Sequence, residues 1–362
     1  MVQKSALIPS LFEVLFQWRV YQGPKGANGL SCPKETHMSL VIPEVSLTFA
    51  GCGSFFATQD QYQSNLVIEA KYPDGTLKRL LFDCGTDAKF SIKELGLAPA
   101  DFDAVYISHQ HGDHSGGLEW MAFGTYFAGK PKPKLICEER LMEELWENGL
   151  KGAMTTLPGK TATLSEFFHC CAVPREGAFF WNNIYFRLHQ TVHVCSGMTI
   201  KHCYGLVMQP AFCLKPQNTH FLRRNASNED VYVLSAPPRD AGEISDFDKI
   251  DLQRWGRGSG VDLPYDKVRF GEGGEPKVLI TGDTRFDPDM FRYAYETSGL
   301  IIHDCETAPY RSGVHPSYED LCTLPGGQKA KMLLFHYQPT DKDAIRDGFM
   351  GFAQKGQKVR LW

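Results

Sequence analysis

Ser108-His109-Gln110-His111-Gly112-Asp113-His114-Ser115-Gly116-Gly117 places three imidazoles and one carboxylate within six residues. Ahead of it, Ala104-Val105-Tyr106-Ile107 is an apolar run of the kind a buried strand shows. Behind it, two glycines lead into Leu118-Glu119-Trp120-Met121-Ala122-Phe123, which reads as a helix start. A loop at the end of a buried strand holds its side chains on a rigid support. Neutral imidazole and carboxylate are both good ligands for a divalent metal such as zinc. His109 and His111, two residues apart, point the same way in an extended segment and can share one metal. Gly112 lets the chain turn, so that Asp113 and His114 aim at a second.

Working outward, the chain has 362 residues, 43% of them hydrophobic, enough for one large domain or two small ones. Its formal charge is −4, with no basic excess of the kind that grips long nucleic acid. No apolar run is long enough for a transmembrane helix. Eleven cysteines without a Cys-x-x-Cys pair, several in apolar runs (Cys84, Cys137, Cys305), read as reduced thiols in a cytoplasm. Residues 1–37 read as a tag or vector-derived extension: Glu13-Val14-Leu15-Phe16-Gln17 resembles a protease-tag site, and His37-Met38 a cloning scar before a native start. The domain is then 38–362.

Ser46 to Ser54, Ser64 to Ala70 and Arg79 to Gly85 read as strands, the last two joined by an Asp74-Gly75 hairpin turn. Lys134 to Cys137 reads as a strand and Glu138 to Leu150 as a helix. His169, beside Cys170-Cys171, has no partner at metal-ligand spacing and reads as a core-edge histidine. Ile184 to Val194 alternates like a strand and carries His189 and His193 on one face. Three further apolar runs end in polar residues: Val278 to Asp283, Leu300 to Glu306, and Met332 to His336.

His109-x-His111-x-Asp113-His114 resembles the signature of the metallo-β-lactamase fold superfamily, the ribonuclease Z-like phosphodiesterase branch most of all. The resemblance runs from about Thr48 to the C-terminus and thins between Leu206 and Glu275. It implies an α/β fold, the four-layer αββα sandwich, with residues 206–276 inserted as an arm or lid. It implies His193, in preference to His189, as the third ligand of the first metal, with His202 on the substrate side or surface. Asp283, in Gly282-Asp283-Thr284, becomes the carboxylate bridging two metals, and His336 the last ligand. The full set is His109, His111, His193 and Asp283 around one metal, and Asp113, His114, Asp283 and His336 around the other. Asp83 would orient a ligand imidazole from behind, and His303 would ligate nothing. His315, at the start of a helix through Leu321, would stabilise a phosphoryl oxygen or protonate a leaving group.

The implied activity is di-metal hydrolysis. Two divalent cations, zinc in the first instance with manganese or iron also suited to these ligands, make a bridging hydroxide near neutral pH. Asp113 or Asp283 orients it, and Asp113 and His315 form the catalytic pair. Two features turn the expected substrate away from long nucleic acid. Ribonuclease Z carries an acidic-Gly-Thr-Gln run where this chain reads Cys84-Gly85-Thr86-Asp87-Ala88. The inserted segment Leu206–Pro276 has nine Lys+Arg against eleven Asp+Glu, a poor match to a phosphate backbone. A small phosphodiester is expected, a cyclic nucleotide in particular, cut by a homodimer without membrane contact. The alternatives are a ribonuclease Z-like endonuclease, a lactone or thioester hydrolase on the same site, and a non-enzymatic binder.

Overall fold

The hairpin turn at Asp74-Gly75, where Gly75 has φ +88°, returns β2 (Asn65–Lys71) onto β3 (Leu77–Phe82), and β1 (Glu44–Gly51) pairs antiparallel with β2 on the other side. The structure is a computed structural model and describes residues 43–210, 222–224, 231–234 and 277–362. The extension at 1–37 lies outside them. β4 (Ala104–Tyr106) and β5 (Lys134–Glu138) continue the sheet in parallel beyond β3. After a small hairpin, β6 (Thr156–Leu157) and β7 (Lys160–Thr161), β8 (His169–Val173) adds in parallel to β5. The C-terminal strand Lys358–Arg360 pairs with β1 and closes the opposite edge.

The second sheet is built around the long hairpin of β10 (Ile184–Ser196) and β11 (Thr199–Pro210), with β9 (Ala178–Trp181) against β10. Beyond β9 lie β13 (Val231–Leu234) and then β12 (Leu222–Arg224). Beyond β11 lie β14 (Val278–Ile280), β15 (Leu300–Asp304), β16 (Met332–Phe335) and β17 (Gly351–Phe352), parallel to one another. Because parallel strands share direction, β14, β15 and β16 all end at one edge, and so do their following loops. The expected insertion start at Leu206 falls inside β11, which stays paired with β14 through Met208. The rest of that segment lies outside the described residues, apart from β12 and β13.

Aromatic rings from both sheets fill the space between them. Phe179 stacks on Phe186 at 4.8 Å, and Tyr106 of the first sheet lies 6.0 Å from Phe179 of the second. Each fully buried ring of this size stabilises the fold by about 1.5–3 kcal/mol through loss of apolar area from water. On the outer face of the second sheet, the helix Pro288–Thr297 packs Phe291 and Tyr295, and the helix Tyr318–Cys322 packs Leu321. Asp287 caps the first of these, accepting from Met290 N at 3.1 Å ahead of Pro288. The helices Ala88–Glu94 and Leu118–Tyr126 cover the first sheet through Ile92, Leu118 and Met121. Helix, sheet, sheet, helix is the αββα order. The expected helix from Glu138 runs as an α-helix over Glu139–Leu145 and widens to a π turn over Trp146–Leu150, Glu138 capping its start.

No helix among the described residues is long and apolar enough to cross a membrane. No cysteine there is disulfide-bonded. His169 is half-buried in β8 and joins no cluster of metal-ligating groups there. His303 is buried, 2.6 Å from the Tyr295 hydroxyl, and stands in no such cluster.

Candidate metal centre

β4 ends at the sandwich edge, and Tyr106 pins that end to the other sheet: its hydroxyl donates to Tyr204 O at 2.7 Å, and Tyr204 N donates to Ser108 O at 3.0 Å. The histidine loop therefore leaves the first sheet where β10, β14 and β16 of the second present their loops. His109 Nε2 and His111 Nδ1 stand 3.0 Å apart, and His193 Nε2 is 3.2 Å from His111 Nδ1. Asp283 Oδ2 lies 3.8 Å from His109 Nε2 and 3.6 Å from His193 Nε2. Donor atoms held about 2.0–2.1 Å from one zinc ion lie about 3.3 Å from one another, so the separations of these four, 3.0–3.8 Å, are those of groups able to share one ion.

The second group shares one atom with the first. Asp283 Oδ2 is 3.2 Å from His114 Nε2 and 3.6 Å from His336 Nε2. Asp113 Oδ2 is 3.2 Å from both of those nitrogens. Every sequence-expected ligand is thus in one of two clusters that meet at a single carboxylate oxygen. Asp113 Oδ1 and Asp283 Oδ1 are buried with no hydrogen-bond partner, a costly arrangement that divalent cations would relieve. The residues present fit two such ions.

Carboxylates behind the ligands fix their orientation. Asp83 accepts from Ser108 N and Ser108 Oγ, each at 2.8 Å, and is 2.8 Å from His114 Nδ1. That contact leaves His114 Nε2 for the cluster. His193 Nδ1 donates to Val314 O at 3.0 Å, with the same consequence. Asp83 and His336 both have left-handed backbone, φ +62° and +60°. Such strain costs of order 1–3 kcal/mol each and persists where surroundings enforce it. Here His336 N donates to Cys52 O at 2.7 Å, and Asp83 N to Tyr106 O at 2.8 Å.

Burial and charge sort the imidazoles. Burial, aided by the neighbouring His114 charge, pushes His109 well below its ordinary pKa. Burial lowers His193 to about 4. Both are thereby biased to the neutral form, which metal ligation would require. His336 goes the other way: burial opposes protonation, but Asp283, Asp113 and Asp304 outweigh it and hold the group at about 10. His114 is raised against burial by Asp113, Asp283 and Asp83. The carboxylates thus favour positive charge at both groups, the same charge a divalent cation would bring.

His315 lies at the open side, its side chain 15% exposed, with Nδ1 2.8 Å from Asp304 Oδ2 and 4.0 Å from Asp283 Oδ2. Asp304 is a residue the sequence reading missed. It also accepts from Thr284 N at 2.9 Å and lies 3.4 Å from His336 Nδ1. Its signal is a carboxylate ending an apolar strand, as Asp283 does. His189 does not share the face of His193. It stacks on Phe291 at 4.8 Å, and a register shift between Val192 and Val194 breaks the period-two count that put it beside His193. His202 is half-buried, its Nδ1 2.7 Å from Gln190 Nε2.

Fold and clustered donors together define a metal-dependent hydrolase of the metallo-β-lactamase fold. YhfI from Bacillus subtilis, a protein of that fold, superposes with a TM-score of 0.54 at 14% identity over 88% of this chain and 99% of its own. The short form of human tRNase Z superposes at 0.50 and 13% identity, over 88% and 99%. More particularly, the chain belongs to the family described as anti-Pycsar protein Apyc1, whose model matches residues 45–227 and 268–359. An anti-Pycsar protein Apyc1 of Paenibacillus xerothermodurans is 30% identical over 86% of this chain and 95% of its own. That of Bacillus phage vB_BveM-Goe7 is 25% identical over 89% and 100%.

Proposed function

We propose that this chain is a di-metal phosphodiesterase that opens the phosphodiester ring of cyclic nucleotides. The observation that carries the reading is the single buried oxygen, Asp283 Oδ2, within 3.2–3.8 Å of imidazole nitrogens from both clusters. That is the arrangement for two cations held side by side. The family's association with cyclic nucleotide phosphodiesterase activity supports the substrate class.

His109, His111, His193 and Asp283 would hold one ion, and Asp113, His114, Asp283 and His336 the other. When bound, such ions lower the pKa of water and take up charge on a phosphoryl oxygen. Zinc is the metal we assign, because the set is rich in imidazole. Asp113 orients the attacking water. Water adds to phosphorus, one ring P–O bond breaks, and the departing ribose oxygen takes a proton. His315 is placed to give that proton, with Asp304 holding its Nδ1 and leaving Nε2 toward the substrate. We further propose a homodimeric assembly, which light scattering tests.

The test compares the metal-loaded protein with Asp283→Asn on a 3′,5′-cyclic nucleotide and on bis(p-nitrophenyl) phosphate, with lactones and thioesters in parallel. The variant is expected to lose hydrolysis of both phosphodiesters and bound metal together. Wild-type-like turnover in it, or a wild type that cleaves only lactones or thioesters, overturns the reading.

A further inference from the structure

Phe55 and Phe56 are adjacent in sequence, 50% and 83% exposed, and form an edge-to-face pair with centroids 4.9 Å apart. Scattered exposed apolar side chains are ordinary. This pair is set apart by where it is held. Its loop leaves β1 alongside the last expected ligand: His336 N donates to Cys52 O, and Ser54 N donates to Tyr337 O at 3.3 Å. On the other side the Phe55 ring lies against Gly112, where an added Cβ would be 3.6 Å from Phe55 Cε2. Gly112 separates His111 from Asp113, one member of each cluster. From below, Gln63 Nε2 donates to Phe55 O at 3.1 Å, and Gln63 Oε1 accepts from Thr86 Oγ1 at 3.0 Å. An exposed aromatic face is therefore held against Gly112, the residue between His111 and Asp113.

We propose that Phe55, braced by Phe56, is the stacking surface for the nucleobase of the substrate. The inference rests on the cyclic nucleotide reading and deepens it. A phosphate at the clusters leaves the base one sugar away, and among the described residues the π-face beside Gly112 is placed to receive it. Stacking is tolerant of base identity, since every base has a π-face. Purine and pyrimidine cyclic nucleotides are both expected to be accepted, and a phosphodiester without a base is expected to bind more weakly.

The experiment measures kcat and KM for the metal-loaded wild type, Phe55→Ala and Phe55→Trp on a cyclic nucleotide and on base-free ribose 3′,5′-cyclic phosphate. Phe55→Ala is expected to raise KM for the nucleotide on the order of 10-fold and to leave the base-free ester unchanged. Phe55→Trp is expected to restore it. Equal effects on both substrates, or none on either, overturn the stacking role. An equal loss accompanied by dissociation of an oligomer would show a contact between copies instead. A wild type that cleaves base-free ester and no nucleotide overturns the substrate reading, and this is visible without any variant.

Discussion

At the smallest scale, the roles proposed for Asp304 and His315, whose Oδ2 and Nδ1 are 2.8 Å apart, can be tested by the leaving group. If His315 protonates the leaving oxygen, its importance depends on how poor the leaving group is. A ribose alkoxide needs the proton and p-nitrophenolate does not. His315→Ala and Asp304→Asn are therefore expected to slow cyclic nucleotide hydrolysis by roughly 10²–10⁴-fold and to affect bis(p-nitrophenyl) phosphate far less. Equal slowing of both would place His315 among the metal ligands, where its third grouping with Asp283, Asp304 and His336 also allows it. Lys277 offers a separate test of burial. Burial, with Arg187 adding to it, lowers its pKa to about 7, against about 10.4 in an unfolded chain. Between those values the unfolded chain binds the extra proton, so stability rises with pH across that window. The burden is complete below pH about 7 and gone above about 10.4. In Lys277→Met that slope should vanish, and the difference in melting temperature from wild type should change steadily between pH 7 and 10. Parallel melting curves for the two proteins would refute it.

At the scale of elements, the site depends on how closely β11 and β14 approach. A Cβ on Gly205 would meet Thr281 O at 2.3 Å and Ile280 O at 2.4 Å, both backbone atoms that cannot swing away. Gly205→Ala is expected to push β14 outward, carry Asp283 with it, and cost about 1–3 kcal/mol as overpacking does. Lower melting temperature and reduced metal content should appear together; a variant that melts and loads like wild type would show that the strands have slack. The same pairing explains what could be read from the residues and what could not. His109 to His114 announce themselves because four donors lie within one loop. Asp283 and His336 are legible as polar ends of apolar runs, and the family resemblance supplies their grouping. Asp304 ends such a run too, but its relevance comes from β15 lying parallel between β14 and β16, and no local pattern specifies that neighbourhood. The family resemblance thins from Leu206, and residues 206–208 nonetheless pair with β14, which arrives some seventy residues later. His189 failed for a different reason: period-two counting assumes an unbroken register, and β10 has a shift.

For the whole molecule, the two clusters lie across the join between the sheets. His109, His111, Asp113 and His114 follow β4 of the first sheet, while His193, Asp283 and His336 belong to β10 and the loops after β14 and β16 of the second. Cations held there would tie the two halves together at one edge, and whatever binds only the folded state stabilises it by mass action. Removing them leaves Asp83, Asp113, Asp283 and Asp304 buried at 0–2% exposure, with His114 and His336 protonated in place of the ions. Protons replace the charge without the coordination bonds, so chelation should lower the melting temperature, and added zinc or manganese should restore it. The loss should also be local. Hydrogen exchange is expected to quicken at Ser108–Gly117, Gly282–Thr284 and His336–Gln338. The β1–β2–β3 ladder, held by its own backbone bonds and by Leu47, Leu66 and Leu80 at 0% exposure, should stay protected. Uniform quickening throughout would mean that the ions govern global folding. No change at the edge after complete metal removal would mean that the sandwich holds the site preformed, and that the proposed cations contribute to chemistry alone.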